Sequence, residues 1–316
     1  MDAASRRRGI GASSSFLALG RWERPLTTVS IACDLVDILG EGPMWNTVDH
    51  RLYWVDAFAP AIRRLDPATG QVKTFPMPAD IGSFVFCRDG TLVGGMRTGF
   101  NRIDLARGTV VPLADPVARD PRLMLNDGKC DRRGRYWCGS VHSDFIGRQA
   151  ELFRLDPDHT FHRMDGDFTV GNGIAFSPDD RRMYFSDTRS EVVWVYDLDI
   201  ETGAISNRRQ FISTADIEGR VDGATVDREG NYWAALIHGA AIACFSPAGK
   251  MIERIPVPAK QPTMVTFGGP DLDVMFVTSA TKMLEPDERP LWPDAGKLVR
   301  IDGVGARGLP EPFFAG

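Results

Sequence analysis

A short pattern that returns six times along the chain restricts the fold more than any other feature. Each copy opens with a polar or small residue and continues with a short apolar run, a tight turn and an aromatic-rich run. The copies begin at Leu39, Ile81, Leu125, Gly171, Val221 and Pro262. A repeat of about 40–50 residues with several short strands is typical of a β-propeller that has one unit per blade. The sequence therefore predicts six blades.

Further short runs follow most copies and predict the outer strands of each blade. In the fourth unit, for example, VVWVYDLDIETG is followed by ISNRRQF. These runs are rich in Val, Ile, Phe, Tyr and Trp, and Asp-Pro, Thr-Gly and Asp-Gly pairs separate them, as expected for strands joined by tight turns. No long segment keeps apolar residues at helical spacing. We therefore predict an all-β, six-bladed β-propeller with four-stranded blades.

The repeats fill residues 27–316, which we interpret as one closed domain. The segment Thr28–Asp37 is predicted to be a strand that completes the last blade, so that the two ends of the chain meet and the ring has no open edge. Residues 1–26 differ in composition, because a run of arginines is followed by a short apolar segment diluted by serines. We expect them to form a disordered N-terminal tail.

Charge and cysteine content narrow the classes of partner. The net charge is −5 and the isoelectric point is about 5.6, which disfavours binding to nucleic acid or to an anionic membrane. No apolar run is long enough to span a bilayer. The five cysteines are odd in number and include no C-x-x-C pair, which favours free thiols in a reducing cytoplasm. We expect a cytoplasmic monomer or small homo-oligomer that acts on a small molecule.

The leading polar position of each unit indicates a shared site. Blades stand radially around a channel, so residues at the same phase are related by the pseudo-rotation axis and meet at one mouth of the channel. Two carboxylates and two amide oxygens among them are hard donors that suit Ca²⁺, Mg²⁺ or Mn²⁺, while Zn²⁺ and Fe²⁺ stay open. We therefore predict a central site for one divalent cation. The six ring positions are Glu41, Gly82, Asn126, Asn172, Asp222 and Thr263.

A simpler interpretation exists for each ring position. Asn, Asp and Gly near turns usually serve local backbone geometry, and this explanation is favoured for any single position. The recurrence of metal-binding residue types at the same phase in four units nevertheless favours the shared site. The glycines behind the ring positions are predicted to let the backbone approach the channel and to leave room for a ligand, and the recurrent turn acids are interpreted as structural. These residues are, respectively, Gly42, Gly128, Gly173 and Gly223, and Asp89, Asp131, Asp179, Asp227 and Asp271.

Three further polar residues are candidates for substrate contacts. Arg97, His142 and His238 lie at the ends of the second strand of their units. If those ends border the channel mouth, the three side chains could contact a polar substrate. A surface or packing role is an equally good interpretation for each of them.

The motifs taken together resemble a known family. The chain contains LGEGPMW with LYWVD, then NDGKCDRRGRYWCGS, GNGIAFSPDDRRMYFSDT and VDGATVDREGNYWAAL in that order. Over most of its length it is therefore similar to the gluconolactonase, regucalcin (senescence marker protein) and luciferin-regenerating-enzyme family. The resemblance implies a six-bladed propeller that binds one divalent cation in its channel and hydrolyses sugar lactones.

The resemblance also implies roles for particular residues. Glu41, Asn172 and Asp222 would hold the metal, and Asn126 and Asp127 would lie near the metal and the substrate. Many family members have Arg at the position of Met124, where it contacts sugar hydroxyls. The apolar side chain of Met124 cannot donate a hydrogen bond, so the sequence leaves open a less polar or differently substituted lactone.

We therefore hypothesise that the protein hydrolyses a sugar-derived, aldono-type lactone to its hydroxy acid in a metal-dependent reaction. The cation would polarise the lactone carbonyl, Asp222 would take the proton from the attacking water, and Asn126 would orient the substrate. An esterase or organophosphate hydrolase of the same propeller type is one alternative. A non-catalytic propeller that binds Ca²⁺ is another, because the fold alone does not decide the function.

Overall fold

The computed structural model describes residues 26–316 and confirms the all-β, six-bladed β-propeller. Its 24 strands form six four-stranded sheets, and two 3₁₀ turns, Thr188–Ser190 and Arg289–Leu291, are the other regular elements within the described residues. The predicted N-terminal tail, residues 1–26, lies outside the described residues apart from Leu26. Residues 26–316 contain no helix with the length and apolar character that a membrane crossing requires.

The first three blades follow one another along the chain after β1 (Thr28–Cys33). Blade 1 contains β2 (Gly40–Asn46), β3 (Arg51–Asp56), β4 (Ala61–Leu65) and β5 (Val72–Pro76). Blade 2 contains β6 (Ile81–Phe86), β7 (Leu92–Met96), β8 (Gly99–Asp104) and β9 (Thr109–Ala114). Blade 3 contains β10 (Leu123–Cys130), β11 (Tyr136–His142), β12 (Ala150–Leu155) and β13 (Phe161–Phe168).

The last three blades complete the ring. Blade 4 contains β14 (Gly171–Phe176), β15 (Arg182–Asp187), β16 (Val192–Asp199) and β17 (Ala204–Ser213). Blade 5 contains β18 (Arg220–Val226), β19 (Tyr232–Ile237), β20 (Ala241–Phe245) and β21 (Met251–Pro256). Blade 6 contains β22 (Pro262–Gly268), β23 (Val274–Ser279) and β24 (Leu298–Asp302), with β1 as its outermost strand.

Each blade is an antiparallel meander whose first strand lies innermost. The first strands of neighbouring blades contact one another around the axis. They are buried almost throughout, whereas outer strands such as β5 and β9 are partly exposed. The start of every inner strand and the end of the strand paired with it therefore lie at one mouth of the channel, as in the pair Gly40 and Asp56 of blade 1.

The ring closes where the two ends of the described chain pair. Thr28 to Ile31 of β1 pair with Val299 to Asp302 of β24 in antiparallel register, which confirms the predicted strand at the start of the domain. This strand ends at Cys33 rather than at Asp37. Asp37 instead accepts hydrogen bonds from Trp54 Nε1 (2.7 Å) and Arg63 Nε (2.5 Å), so its carboxylate fastens the incoming chain to blade 1.

The aromatic-rich run of the repeat supplies the packing between blades. An aromatic pair spans each of the six interfaces, with ring centroids between 5.1 and 6.2 Å apart. Edge-to-face and offset pairs at these separations add to the stabilisation from buried area. The pairs are Tyr53–Phe86, Phe100–Tyr136, Trp137–Phe176, Tyr184–Tyr232, Trp233–Phe267 and Trp45–Phe276.

The C-terminal segment crosses the end of the channel opposite the mouth. Phe314 forms a parallel bridge with Cys87, which follows inner strand β6. Glu311 makes an ion pair with Lys129 (2.9 Å), and both side chains are largely buried. Because these partners lie at the distal end of blades 2 and 3, the segment covers that end and leaves the mouth as the open side.

Two of the predicted turn acids are buried hydrogen-bond centres at the distal end. Asp227 Oδ1 accepts the backbone N–H groups of Glu229 (3.0 Å) and Asn231 (2.8 Å). Its Oδ2 accepts Asn231 Nδ2 (2.9 Å) and Trp233 Nε1 (2.8 Å). Asp131 binds its own turn and Trp137 Nε1 (2.9 Å) in the same way. Each carboxylate therefore ties a turn to an aromatic residue of the blade interface.

Asp227→Ala is expected to lower the free energy of unfolding by about 3 kcal/mol, because it leaves the buried Trp233 indole N–H and several turn donors without an acceptor. Chemical denaturation followed by tryptophan fluorescence measures the change. The matched control is Asp271→Ala, which alters the exposed acid of the equivalent turn in blade 6 and should change stability by less than about 0.5 kcal/mol. Equal effects of the two substitutions would contradict a special role for Asp227.

Candidate metal and active site

Inner strands depart from regular pairing at their ring positions. The register of β2 against β3 shifts between Glu41 and Met44, and that of β14 against β15 between Asn172 and Ala175. The other four inner strands shift near the same place. Gly173, directly after a ring residue, has a φ of 58°, which glycine adopts at little cost. Such irregularities re-aim neighbouring side chains, here at the start of every inner strand.

Hydrogen bonds join the ring residues of blades 3, 4 and 5. Asn126 Nδ2 donates to Asn172 Oδ1 (2.7 Å) and to the carbonyl of Gly171 (3.1 Å). Asn172 Nδ2 donates to Asp222 Oδ1 (2.5 Å) and to Thr188 Oγ1 (2.9 Å). Three residues that are far apart in the sequence therefore form one continuous row at the mouth.

The ring positions of blades 2 and 6 serve packing. A Cβ atom on Gly82 would lie 2.6 Å from the Cα of Asn126, so blades 2 and 3 approach too closely for any side chain there. Thr263 is buried, and its hydroxyl donates to the carbonyl of Gly40 in blade 1. These two contacts join blade 2 to blade 3 and blade 6 to blade 1.

Two buried carboxylates of the ring, Glu41 and Asp222, act on each other and on the buried carboxylate of Asp127. Burial raises the pKa of Glu41 well above its ordinary value, and the carboxylates of Asp222 and Asp127 raise it further. Burial, followed by the charge of Asp127, likewise raises the pKa of Asp222, against a lowering by the hydrogen bond from Asn172. Within residues 26–316, no basic side chain lowers the pKa of either Glu41 or Asp222. Ionisation of both carboxylates is therefore costly unless a cation offsets their charge.

Asp127 lies behind the ring. Its Oδ2 accepts the backbone N–H of Ile174 (3.0 Å), whereas Oδ1 is buried without a hydrogen-bond partner among the described residues. Burial raises its pKa to about 6, although the Ile174 N–H and the positive charge of Lys129 act in the opposite direction. Lys129 is itself paired with Glu311, so it neutralises little of this negative charge.

The donor set fits a divalent cation. Carboxylate and amide oxygens are hard ligands that suit Ca²⁺, Mg²⁺ or Mn²⁺, and a cation would offset the buried negative charge. Residues 26–316 contain no cluster of three or more His, Cys, Asp or Glu side chains placed to hold a metal, so a site here depends on an amide oxygen as well. Asn172 presents its Nδ2 to Asp222 in this arrangement, and its amide would have to turn over to share a cation with Asp222.

The predicted substrate residue Met124 lies in an apolar wall. It is 6% exposed and packs with Val141 and Val170, two residues before Asn126 on β10. Arg97, which directly follows β7 in blade 2, reaches this wall, with its Nη2 3.6 Å from Met124 Sδ. The structure thus brings Arg97, Met124 and Asn126 to the same side of the mouth.

The two predicted histidines are not joined to the ring. His142 is fully buried, with Nδ1 2.8 Å from Asp144 Oδ1 and Nε2 3.7 Å from Asp120 Oδ2. His238 is exposed after β19, and its backbone N–H donates to Gln261 Oε1 (3.1 Å). Contact of either imidazole with a substrate stays a prediction.

Protein atoms pack closely against two of the glycines behind the ring. A Cβ atom on Gly128 would lie 2.6 Å from Tyr136 Cε2, and one on Gly223 would lie 2.4 Å from Met264 Cγ. The expectation of room for a ligand is therefore corrected for Gly128 and Gly223, which instead allow close packing of an aromatic ring and of the neighbouring inner strand; a Cβ atom on Gly42 would meet nothing closer than 3.7 Å.

The sequence analysis missed two residues at the mouth. Thr188 accepts from Asn172 and donates to the carbonyl of Val221 (2.9 Å), but it lies after β15, away from the phase of the repeat. Lys282 follows blade 6 strand β23 and places its Nζ 2.9 Å from the ring centroid of Phe58. It belongs to a loop without a counterpart in the other units, so no repeat signal could identify it.

Comparison with known proteins gives consistent matches along the chain. Residues 39–281 match the family model described as the SMP-30/Gluconolactonase/LRE-like region. The chain is 36% identical over 282 residues to 6-deoxy-6-sulfogluconolactonase of Pseudomonas putida, covering 88% of this chain and 96% of the relative. It is 36% identical over 291 residues to a pentonolactonase of Haloferax volcanii, covering 90% and 97%.

Solved structures give the same result. A calcium-binding protein, regucalcin from Agrobacterium tumefaciens, superposes with a TM-score of 0.87 at 26% sequence identity. The superposition covers 90% of this chain and 96% of that one.

The buried negative charge predicts an unusual response to Glu41→Gln. Because the folded pKa of Glu41 is raised, the stability that this group contributes is fully present below its unfolded pKa of about 4.3 and is lost as the pH rises through the folded value. At pH 8 without metal, Glu41→Gln should therefore raise the free energy of unfolding by at least about 1 kcal/mol. Thermal denaturation of chelator-treated protein measures it.

Adding Ca²⁺ should raise the melting temperature of the wild type and leave that of Glu41→Gln nearly unchanged. Glu285→Gln, which alters an exposed acid on a loop at the same mouth, is the control and should behave as the wild type does. The site would be contradicted if metal-free Glu41→Gln were less stable than the metal-free wild type and if Ca²⁺ did not raise the melting temperature of the wild type.

Proposed function

The chain belongs to the SMP-30/gluconolactonase/LRE-like family, and from that premise we propose that it is a lactonase that uses one divalent cation to hydrolyse a sugar-derived, aldono-type lactone to its hydroxy acid. The observation that carries the proposal is the ring of buried carboxylates and amides at the open mouth of the channel. Two relatives that are 36% identical over nearly their whole length are named as sugar lactonases, which supports the reaction class.

Glu41, Asn172 and Asp222 would hold the cation, and Asp127 adds negative charge behind them. When bound, the cation would supply electrophilic polarisation of the lactone carbonyl and offset the buried carboxylates. This assignment is supported by the raised pKa of Glu41 and of Asp222, which reflects burial without a basic partner.

The proton is handled by Asp222. Its carboxylate takes a proton from the water that attacks the carbonyl carbon, and the same proton can pass to the ring oxygen as the C–O bond of the ester breaks. The reaction then balances as lactone plus water giving the hydroxy acid. Without a cation, Asn172 Nδ2 links this carboxylate to Thr188, and the cation would take over that role when the Asn172 amide turns toward it.

Asn126 and its neighbours would orient the substrate. The side chain of Asn126 is half-buried at the mouth, and its Nδ2 donates to the carbonyl of Gly171, a contact that does not depend on the orientation of the Asn172 amide. Asn126 Oδ1 makes no hydrogen bond within the described residues and is available to accept one from a substrate hydroxyl. Met124 beside it offers an apolar surface, so that part of the lactone is contacted without hydrogen bonds.

A non-catalytic, cation-binding role is the second candidate. It is favoured by the close superposition on Agrobacterium regucalcin, which is described as a calcium-binding protein. Binding without turnover would show the same gain of melting temperature with Ca²⁺ and no acid release from any lactone. Turnover therefore separates the two candidates.

Asp222→Asn should lower kcat for the best lactone at least about 100-fold at saturating metal, because the amide cannot accept the proton from water. A pH-stat assay of aldono-1,4- and 1,5-lactones, with each of the candidate metals and with a chelator, measures the change. The matched control is Asp216→Asn, on an exposed loop at the same end of blade 5, and it should keep activity within about twofold. Retention of more than a tenth of the activity by Asp222→Asn would contradict its assignment as the base.

A further inference from the structure

Two basic side chains at the mouth lie near the carboxylate of Asp80, and one of them, Arg97, is hydrogen-bonded to it. Arg97 donates from Nε (3.0 Å) and Nη2 (2.6 Å) to the same Oδ2 atom of Asp80. Asp80 and Arg97 are also the charged groups that act on Lys282. Because Asp80 carries one negative charge and its two neighbours carry one positive charge each, the group retains a net positive charge.

The Arg97 guanidinium is held in one orientation and still has N–H groups without a hydrogen-bond acceptor. Asp80 Oδ2 accepts hydrogen bonds from the Nε side of the guanidinium, and the Met124 thioether lies against Nη2. Nη1 makes no hydrogen bond among the described residues, and the Arg97 side chain is 34% exposed. A guanidinium that is fixed on one edge and open on the other is preorganised to bind an anion.

Lys282 presents its charge without an acidic partner. Its Nζ lies 2.9 Å from the ring centroid of Phe58, and no acidic side chain of residues 26–316 forms an ion pair with it. The backbone N–H of Lys282 donates to the carbonyl of Ile38 (3.1 Å), just before Gly40 and Glu41. This hydrogen bond anchors the residue beside the start of inner strand β2.

Both cations lie at the end of the channel that holds the ring. Arg97 follows Met96, which pairs with Ile81 at the start of inner strand β6, and it contacts Met124 two residues before Asn126. Lys282 lies where Leu39 bridges Ala280, directly ahead of Glu41. The two positive charges therefore border the same opening as the ring, on the side of blades 1, 2 and 6.

Most other basic residues at this mouth are neutralised. Arg220 Nε pairs with Glu191 Oε1 (2.8 Å), and Lys260 pairs with Glu288. Arg189 is exposed and donates to the carbonyl of Phe145 (3.1 Å), and it lies with Arg220 and Lys260 near His238 rather than near Asp80. On the side of blades 1, 2 and 6, the surplus positive charge is that of Arg97 and Lys282.

We propose that Arg97 and Lys282 form a subsite for an anionic substituent of the substrate, so that the lactone carries a carboxylate, sulfonate or phosphate away from its reacting carbonyl. The inference rests on the proposed lactonase function and names its substrate class. The buried carboxylates of the ring disfavour a second anion there, so the charged substituent points to the rim and the ester faces the ring. The apolar Met124 wall contacts the carbon skeleton between them.

Matched substrates test the subsite. D-glucaro-1,4-lactone differs from D-glucono-1,4-lactone by a carboxylate in place of the terminal hydroxymethyl group. The 6-phospho and 6-deoxy-6-sulfo derivatives of D-glucono-1,5-lactone are compared with the parent lactone. The wild type should prefer at least one anionic member over its neutral partner by at least about tenfold in kcat/KM, since one charge-assisted contact is worth about that factor. The preferred pair identifies the anion.

Arg97→Gln and Lys282→Gln should each lower kcat/KM for the preferred anionic lactone by about tenfold and change that for the neutral partner by less than about threefold. Lys282→Gln leaves the ion pair of Arg97 with Asp80 intact, so it is informative even if Arg97→Gln folds poorly. Arg107→Gln is the control, because Arg107 is an exposed base of the same blade at the distal end. Added salt should raise the KM of the anionic lactone alone.

Equal turnover of both members of every pair, or variants that slow both members equally, would overturn the anion subsite and leave the lactonase function standing. Absence of turnover on every lactone with metal present would instead contradict the lactonase function, and the subsite with it.

Discussion

Packing between neighbouring blades holds the ring together and positions the residues at its mouth. An aromatic pair fills every interface, and the inner strands approach so closely that Gly82 has no space for a Cβ beside Asn126. That approach brings the starts of six strands to a common axis. A site can then be assembled from one side chain per blade, because the backbone has already been positioned by packing far from the axis.

The buried carboxylates at the distal end receive more hydrogen bonds than those at the mouth. Asp131 and Asp227 are buried, and each is saturated with hydrogen bonds from its own turn and from an indole. Glu41, Asp127 and Asp222 are buried with fewer donors, and repulsion adds to desolvation in raising the pKa of Glu41 and of Asp222. The carboxylates at the closed end therefore stabilise the fold. Those at the open end are costly to ionise, and a bound cation would offset that cost.

The mouth is asymmetric in charge although the blades are repeated. Blades 3, 4 and 5 contribute the row Asn126, Asn172 and Asp222, whereas the positive rim comes from blade 2 and from the loop after β23. Strand-end loops are free to differ because they do not enter the inter-blade packing. Under the proposed function, recognition of an anionic substituent would lie on these loops, apart from the chemistry of the ring.

Much of the architecture could be predicted from the chain alone, since the repeat length, the turn pairs and the aromatic runs are periodic and local. Periodicity also selected the ring residues, because closure of a propeller converts equal phase in the sequence into proximity in space. It could not show that Gly128 and Gly223 make room for a tyrosine ring and a methionine, that Thr263 is committed to Gly40, or that His142 is buried between two aspartates. Those facts depend on which neighbour each blade meets. The number of blades and the residues that share a phase thus follow from the periodicity of the chain. The partner of each residue and the position of Lys282 depend on the folded molecule, because contacts between non-repeated loops follow no period.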